Sequence, residues 1–270
     1  MPNYRIDLSY VGTDFNGWQS QADGSGIQDT VEKALAVILR HPVRLTGSAR
    51  TDSGVHAEHQ VATFNSETAF DAGLWRKGLQ AILPKSIGIM QVAEADPDFN
   101  PIRASTGKAY CYRIWTGGYR DPFYLPVSWW IPVSVDVNVM KEHAKDFLGR
   151  HDYSAFCAAN SSALTRERTI FGFEIIQRGP LLEIWVLGDG FLKQMVRSMV
   201  GTLVDIASQR SLGANTVTAI LASCDRRMAG QTAPASGLTL VNIFYGPVPS
   251  VSELLADRWR APKKQILPFT

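Results

Sequence analysis

Cysteine is scarce. Cys111, Cys157 and Cys224 are odd in number and widely spaced, with no Cys-x-x-Cys pair among them. A disulfide framework and a thiolate zinc site are therefore not expected. His56 and His59 lie three apart, but the chain around them reads as loop running into strand, and no third ligand is near in sequence. No metal is expected. Long hydrophobic runs are also missing: no stretch approaches the ~18 uninterrupted apolar residues of a membrane span. The start, Met1 to Asp7, has no apolar run behind a basic residue, so a secretory signal is not expected and the cytoplasm is the default. No polar tract dominates the 270 residues, of which 45% are apolar and 19% charged, and this excludes a disordered chain.

Charge of one sign is lacking as well. There are 27 Lys and Arg against 25 Asp and Glu, split as 15 against 16 through residue 150 and 12 against 9 beyond it. Bulk charge therefore makes no case for nucleic acid. Local clustering says more. Between Phe99 and Arg120 stand Arg103, Lys108, Arg113 and Arg120 with no acid, interleaved with Tyr110, Tyr112, Trp115 and Tyr119. Stacking on bases and neutralising phosphates uses that mixture, although a solvated strand face gives the same pattern. A phosphate-loop spacing at Gly12 and Gly17 fails because Trp18 stands where the lysine must be.

Periodicity sets out the elements. Tyr4, Ile6, Leu8 and Tyr10 alternate with polar residues, as in a half-buried strand. Gly12 to Gly26 reads as an exposed loop. Ile27, Val31, Leu35 and Ile38 have helical spacing, bounded by Pro42. Strands are expected at 59–64, 87–93 and 109–115, with a helix over 71–82 between the first two. The second half repeats the theme: a helix through Met140 to Leu148 ended by Gly149, a hairpin of strands 170–177 and 181–187, and a helix over 192–203. A short helix near 216–223 and a last strand at 238–245 follow. The economical architecture is α+β: two similar β-α-β-like halves forming a mixed, mostly antiparallel sheet, with helices on one side and a central cleft. The halves are expected at 1–106 and 107–249, with a loosely attached, mildly basic tail at 250–270.

The densest unusual segment is Thr46 to Ala57, in which Asp52 is flanked by Arg50, Thr51, Ser53 and Gly54. Small residues around a lone acid suit a loop where backbone approaches a ligand. A tight Asp-Ser-Gly turn is the plainer alternative. The same triplet occurs in aspartic proteases, which need two facing carboxylates, and no second Asp-Ser-Gly or Asp-Thr-Gly is present.

At these residues the sequence resembles a known family. Arg50-Thr51-Asp52-Ser53-Gly54-Val55-His56-Ala57, followed by Gln60-Val61 and Phe64, is similar to the catalytic motif of the TruA-type tRNA pseudouridine synthases. Tyr10 to Gln19 with Gln21 and Thr30-Val31-Glu32 resembles the family's first motif, and Lys108-Ala109-Tyr110-Cys111-Tyr112 its tyrosine strand. His151 to Phe156, Phe191 to Leu203 and Ala233 to Leu238 match later motifs in order. Two departures are visible: Ala49 stands where the family usually has Gly, and Arg103 follows Phe99 by four residues rather than three.

The resemblance implies isomerisation of uridine to pseudouridine on the 3′ side of the tRNA anticodon stem–loop, positions 38 to 40. Atoms and oxidation level are conserved in that reaction, so no cofactor is implied. It implies Asp52 as the catalytic carboxylate, Arg197 as its ion-pair partner, and Tyr110 as the tyrosine that stacks on uracil. Arg50 would fill the space left by a flipped nucleotide. Arg103, Lys108 and Arg113 are candidate RNA contacts, Tyr112 is expected in the core, and Trp18, Gln19 and Gln21 either grip RNA or pack the loop. Family members are homodimers, so a homodimer is expected. The rival reading is a non-catalytic RNA-binding protein on the same fold.

Overall fold

A computed structural model describes residues 1–68, 71–208 and 216–260. Its framework is one ten-stranded sheet. In chain order the strands are β1 (Asn3–Tyr10), β2 (Thr46–Gly47), β3 (His56–Asn65), β4 (Ile87–Ala95), β5 (Gly107–Trp115), β6 (Trp129–Trp130), β7 (Gly149–Asp152), β8 (Glu167–Arg178), β9 (Leu181–Gly188) and β10 (Leu238–Phe244). The main path runs β4-β1-β3-β10-β5-β9-β8-β7, with β2 paired to β3 and β6 to β5. Residues 1–106 supply one end and residues 107–249 the other. The seam is the pair β3–β10, which is parallel, with Thr239 opposite His56 and Leu240 opposite Ala57.

Helices α1 (Ile27–Leu39), α2 (Ala72–Ile82), α3 (Val137–Ala144), α4 (Met195–Ala207) and α5 (Val217–Ser223) contribute to the larger core on one face. There the alternating residues of β1, with Tyr110, Tyr112 and Ile114 of β5, meet Val31 and Leu35 of α1 and Met199, Val200 and Leu203 of α4. Burying each such aliphatic side chain contributes about 1.5–3 kcal/mol. The odd residues of β5, Ala109 and Cys111, face the other way and join Trp185 and Leu187 in a smaller core.

That second core brings one correction. Residues 251–260, expected as a loose tail, form α6 (Val251–Arg260), whose Val251 is buried against the smaller core. The far side of the sheet therefore carries a helix too. Lys263 and Lys264 lie outside the described residues.

Helix starts follow local chemistry. Asp71 caps α2 by accepting from the Leu74 amide at 2.8 Å, and Asp136 caps α3 through the Asn138 amide at 2.9 Å. At α4 the expected start at Leu192 is displaced to Met195. The cause is Gln194, a non-glycine residue held left-handed at φ 60°. Such strain costs of order 1–3 kcal/mol and persists only where surroundings enforce it. It sits three residues before Arg197.

Candidate active site

The parallel seam explains why distant segments meet. Because β3 and β10 run the same way, the chain entering β3, with Asp52, and the chain entering β10, residues 229–237, arrive at the same end of the sheet. Antiparallel β5 lies next to β10 with Tyr110 opposite Leu240, so its side chain faces the same cleft.

The loop 48–55 is braced from several sides. The buried Gln60 side chain clamps Ala49, donating to its carbonyl at 2.7 Å and accepting from its amide at 3.2 Å. The Thr51 hydroxyl lies 2.8 Å from the Tyr10 hydroxyl, and the Thr51 carbonyl accepts from the Trp18 amide at 3.0 Å. Segment 12–18, expected as an exposed loop, turns one side inward against this loop. Trp18 is buried, and a Cβ on Gly12 would lie 2.0 Å from the Val55 carbonyl oxygen. Gly17, at φ 82°, leaves room for the Thr51 carbonyl in the same way. Trp18 thus packs the loop.

His56 fixes the position of the loop's end. Its Nδ1 accepts from the Gly12 amide at 3.1 Å, which leaves the proton on Nε2, and that nitrogen donates to the Ser236 carbonyl at 3.1 Å. One neutral imidazole thereby joins the glycine loop, the Asp52 loop and the entry to β10. Burial lowers its pKa, in keeping with the neutral form.

Asp52 and Arg197, 145 positions apart, form an ion pair with Nη1 3.0 Å from Oδ2. Their side chains are 19% and 13% exposed, so the pair is shielded yet open to a ligand. Arg197 is itself held, its Nε donating to the Ala233 carbonyl at 2.8 Å while the Ala233 amide donates to the Arg197 carbonyl at 3.1 Å. The strap carrying Ala233 is tied to α4 by Asp205, which accepts from the Gln231 amide at 2.9 Å and the Gln231 side chain at 3.0 Å. Asp52 Oδ1 accepts no hydrogen bond from the described residues and remains available for a substrate.

Tyr110 is buried and packs edge-on against Phe191, ring centres 4.9 Å apart. Burial, then the neighbouring Tyr10 and the Asp52 charge, push its hydroxyl above the ordinary phenol range. It stays protonated at neutral pH and makes no hydrogen bond to the described residues. Tyr112, two residues along, is fully buried and donates to the Pro234 carbonyl at 2.8 Å, as expected of a core residue.

The four candidate RNA-contacting residues part ways. Arg50 is exposed beside Asp52 and has no protein partner among the described residues. Arg103 is exposed in the turn after Phe99. Lys108 faces the cleft side but is spent inward, its Nζ donating to the Ser48 carbonyl at 2.8 Å. Burial, then Arg168, lower its pKa to about 8. Arg113 points to the opposite face and pairs with Glu58 at 3.2 Å and Glu183 at 3.6 Å, so it is not a cleft residue. Strand alternation places Arg113 away from Tyr110; the run of basic residues obscured that. Sequence reasoning also missed the Ala233 carbonyl, which carries no side-chain signal, and His56 as a tie rather than a ligand.

Comparison with known proteins agrees with the resemblance. A family model described as tRNA pseudouridine synthase matches residues 143–246. The chain is 40% identical over 245 residues to tRNA pseudouridine synthase A of Pelobacter propionicus, covering 91% of this chain and all of that one. The corresponding Geobacillus kaustophilus protein is 38% identical over 239 residues, 88% of this chain and 92% of its own. Among solved structures, a chain of a Cbf5-Nop10-Gar1 complex overlays with a TM-score of 0.38 at 12% identity, over 93% of this chain and 54% of that one. That overlay is too loose to build on.

Proposed function

The chain belongs to the tRNA pseudouridine synthase A family, isomerases that convert uridine in tRNA to pseudouridine, and on that footing we propose that it acts on the 3′ side of the anticodon stem–loop, at positions 38 to 40, with Asp52 as the catalytic group. The observation that carries this reading is the shielded Asp52–Arg197 ion pair beside Tyr110.

In the reaction the bond from ribose C1′ to uracil N1 breaks and a bond from C1′ to C5 forms. The proton on C5 is released and N1 gains one. Every atom is accounted for without an external oxidant or reductant. Asp52 Oδ1 faces the sugar or the base, as nucleophile or as stabiliser of developing positive charge, while Arg197 fixes the other oxygen. Tyr110 stacks on the uracil and, being protonated, serves as donor rather than base. Charged groups fixed in place before the reaction need no reorganisation as charge develops, which is the main way such sites lower barriers.

A stacked nucleotide must be extruded to reach this cleft. Arg50, exposed and two residues from Asp52, is placed to enter the gap it leaves, and Arg103 contacts the phosphate backbone. The protein acts in the cytoplasm as a homodimer, so its solution mass is near twice 29.8 kDa. The test is to map pseudouridine in tRNA from cells with and without the protein. Loss confined to positions 38 to 40 supports the assignment, and loss at other positions with 38 to 40 intact contradicts it.

A further inference from the structure

Next to the strap that holds Arg197, an open pocket of about 340 Å³ is lined by Cys157, Arg166, Cys224, Asp225, Arg226 and Arg227, among others. Three guanidinium groups meet one carboxylate there. Two of the arginines are held by contacts that leave donors to spare. Arg226 gives three of its five N–H groups to the Ala229 carbonyl (3.4 Å), the Gly230 carbonyl (2.9 Å) and the Thr232 hydroxyl (2.8 Å). Arg166 gives two, to Cys157 Sγ at 2.9 Å and the Ser161 carbonyl at 3.4 Å. Arg227 forks onto Asp225 with its Nε and Nη2, at 2.6–3.1 Å, and its side chain is otherwise exposed.

The cavity is joined to the active site through main chain on two sides. Arg226 grips Gly230 and Thr232 of the strap that binds Arg197. Ala158, on the pocket wall, donates to the carbonyl of Lys193 at 3.0 Å, two residues beyond the Phe191 that packs on Tyr110. The main chain that positions Arg197 and Phe191 is thus also held by the wall of this pocket.

We propose that this cavity binds a backbone phosphate of the tRNA substrate, with Arg227 and Arg166 as its ligands, Arg226 holding the wall, and Asp225 tempering its charge. Guanidinium groups match phosphate in shape as well as in charge. The inference rests on tRNA being the substrate, and its test separates the two claims.

Binding of a tRNA transcript to the full-length protein is measured between 50 and 200 mM salt. For Arg227→Gln the expected result is several-fold weaker binding, with a salt slope shallower by about 0.7–0.9, the value of one phosphate contact. Asp225→Asn keeps an oxygen to cap the Arg227 amide but removes the competing charge, so it binds tRNA more tightly. Unchanged affinity and slope in Arg227→Gln overturn the proposal while leaving the synthase reading intact. Failure of the wild-type protein to bind tRNA at all overturns that reading instead. Should a variant fail to fold, the wild-type thiols decide. Cys224 is the exposed one of the three cysteines, and bound tRNA slows its alkylation if the cavity is occupied. An unchanged rate means that it is not.

Discussion

Lys108 illustrates how one residue serves the fold at an electrostatic cost. Its ammonium tethers the Ser48 carbonyl at the entry to the Asp52 loop, yet burial and then Arg168 lower its pKa from an ordinary 10.5 to about 8. The sign of the linkage follows. Between about pH 8 and 10.5 the unfolded chain keeps a proton on this lysine that the folded chain has released, so this group makes stability rise with pH across that window. Replacing it, as Lys108→Met, is expected to remove that rise, seen by comparing thermal midpoints of the two proteins from pH 7 to 10.5; an unaltered profile would show that the folded chain does not lower the pKa of this lysine. Arg197 is the second residue of this kind. Its two contacts use different nitrogens, Nη1 for Asp52 and Nε for Ala233. A lysine carries its three N–H groups on one nitrogen, which cannot stand in for both Nη1 and Nε. Arg197→Lys is expected to remain folded but lose at least about tenfold in kcat, since misplacing a reacting group by about 1 Å alone costs about a hundredfold. Near-normal turnover would show that a positive charge suffices without the fork.

At the scale of elements, the strap from Ala229 to Pro234 matters because it is neither helix nor strand and yet sets the geometry of Arg197. It lies so close to α4 that a Cβ on Gly201 would sit 1.8 Å from the Gln231 carbonyl oxygen. Gly201→Ala should therefore push the strap off the helix, costing roughly 1–3 kcal/mol or more in stability and lowering turnover with it. Gly118→Ala, where nothing lies within 4 Å, is the matched control and should do neither; denaturation midpoints and initial rates on tRNA compare the two. This is also where reading the sequence reached its limit. The helices and strands with clean periods, β1, α1, β5 and β9, were legible because one face of each is buried and alternation or helical spacing follows directly. The strap was not, because its contacts are made by backbone carbonyls and by glycines whose importance lies in the missing side chain. The start of α4 was misplaced for a related reason: Gln194 is left-handed by virtue of its surroundings, which no local pattern encodes. The small residues around Asp52 marked it as a candidate reactive carboxylate, while the roles of Asp52, Tyr110 and Arg197 came through the family resemblance. Alternation alone put Tyr110 and Arg113 on opposite faces, but the basic cluster invited their grouping.

Over the whole molecule, a carboxylate from one half and a guanidinium from the other meet at a parallel seam whose paired residues, such as His56 and Thr239, lie 183 positions apart in sequence. Neither half holds the pair alone. His56 reaches across the same seam to Ser236, so the loop and the strap are registered to each other by the sheet rather than by flexible chain. That long-range arrangement could not be read from spacing, since it depends on β10, the last strand, inserting beside β3. Under the proposed function, the carboxylate positioned in this way drives the isomerisation. The most direct measurement is tritium release from tRNA labelled at uridine C5, under saturating enzyme, comparing wild type with the near-isosteric Asp52→Asn. The expected result is release by the wild-type protein and a loss of at least about 10²–10³-fold in the variant, with tRNA still bound. Release by Asp52→Asn at the wild-type rate would contradict the account.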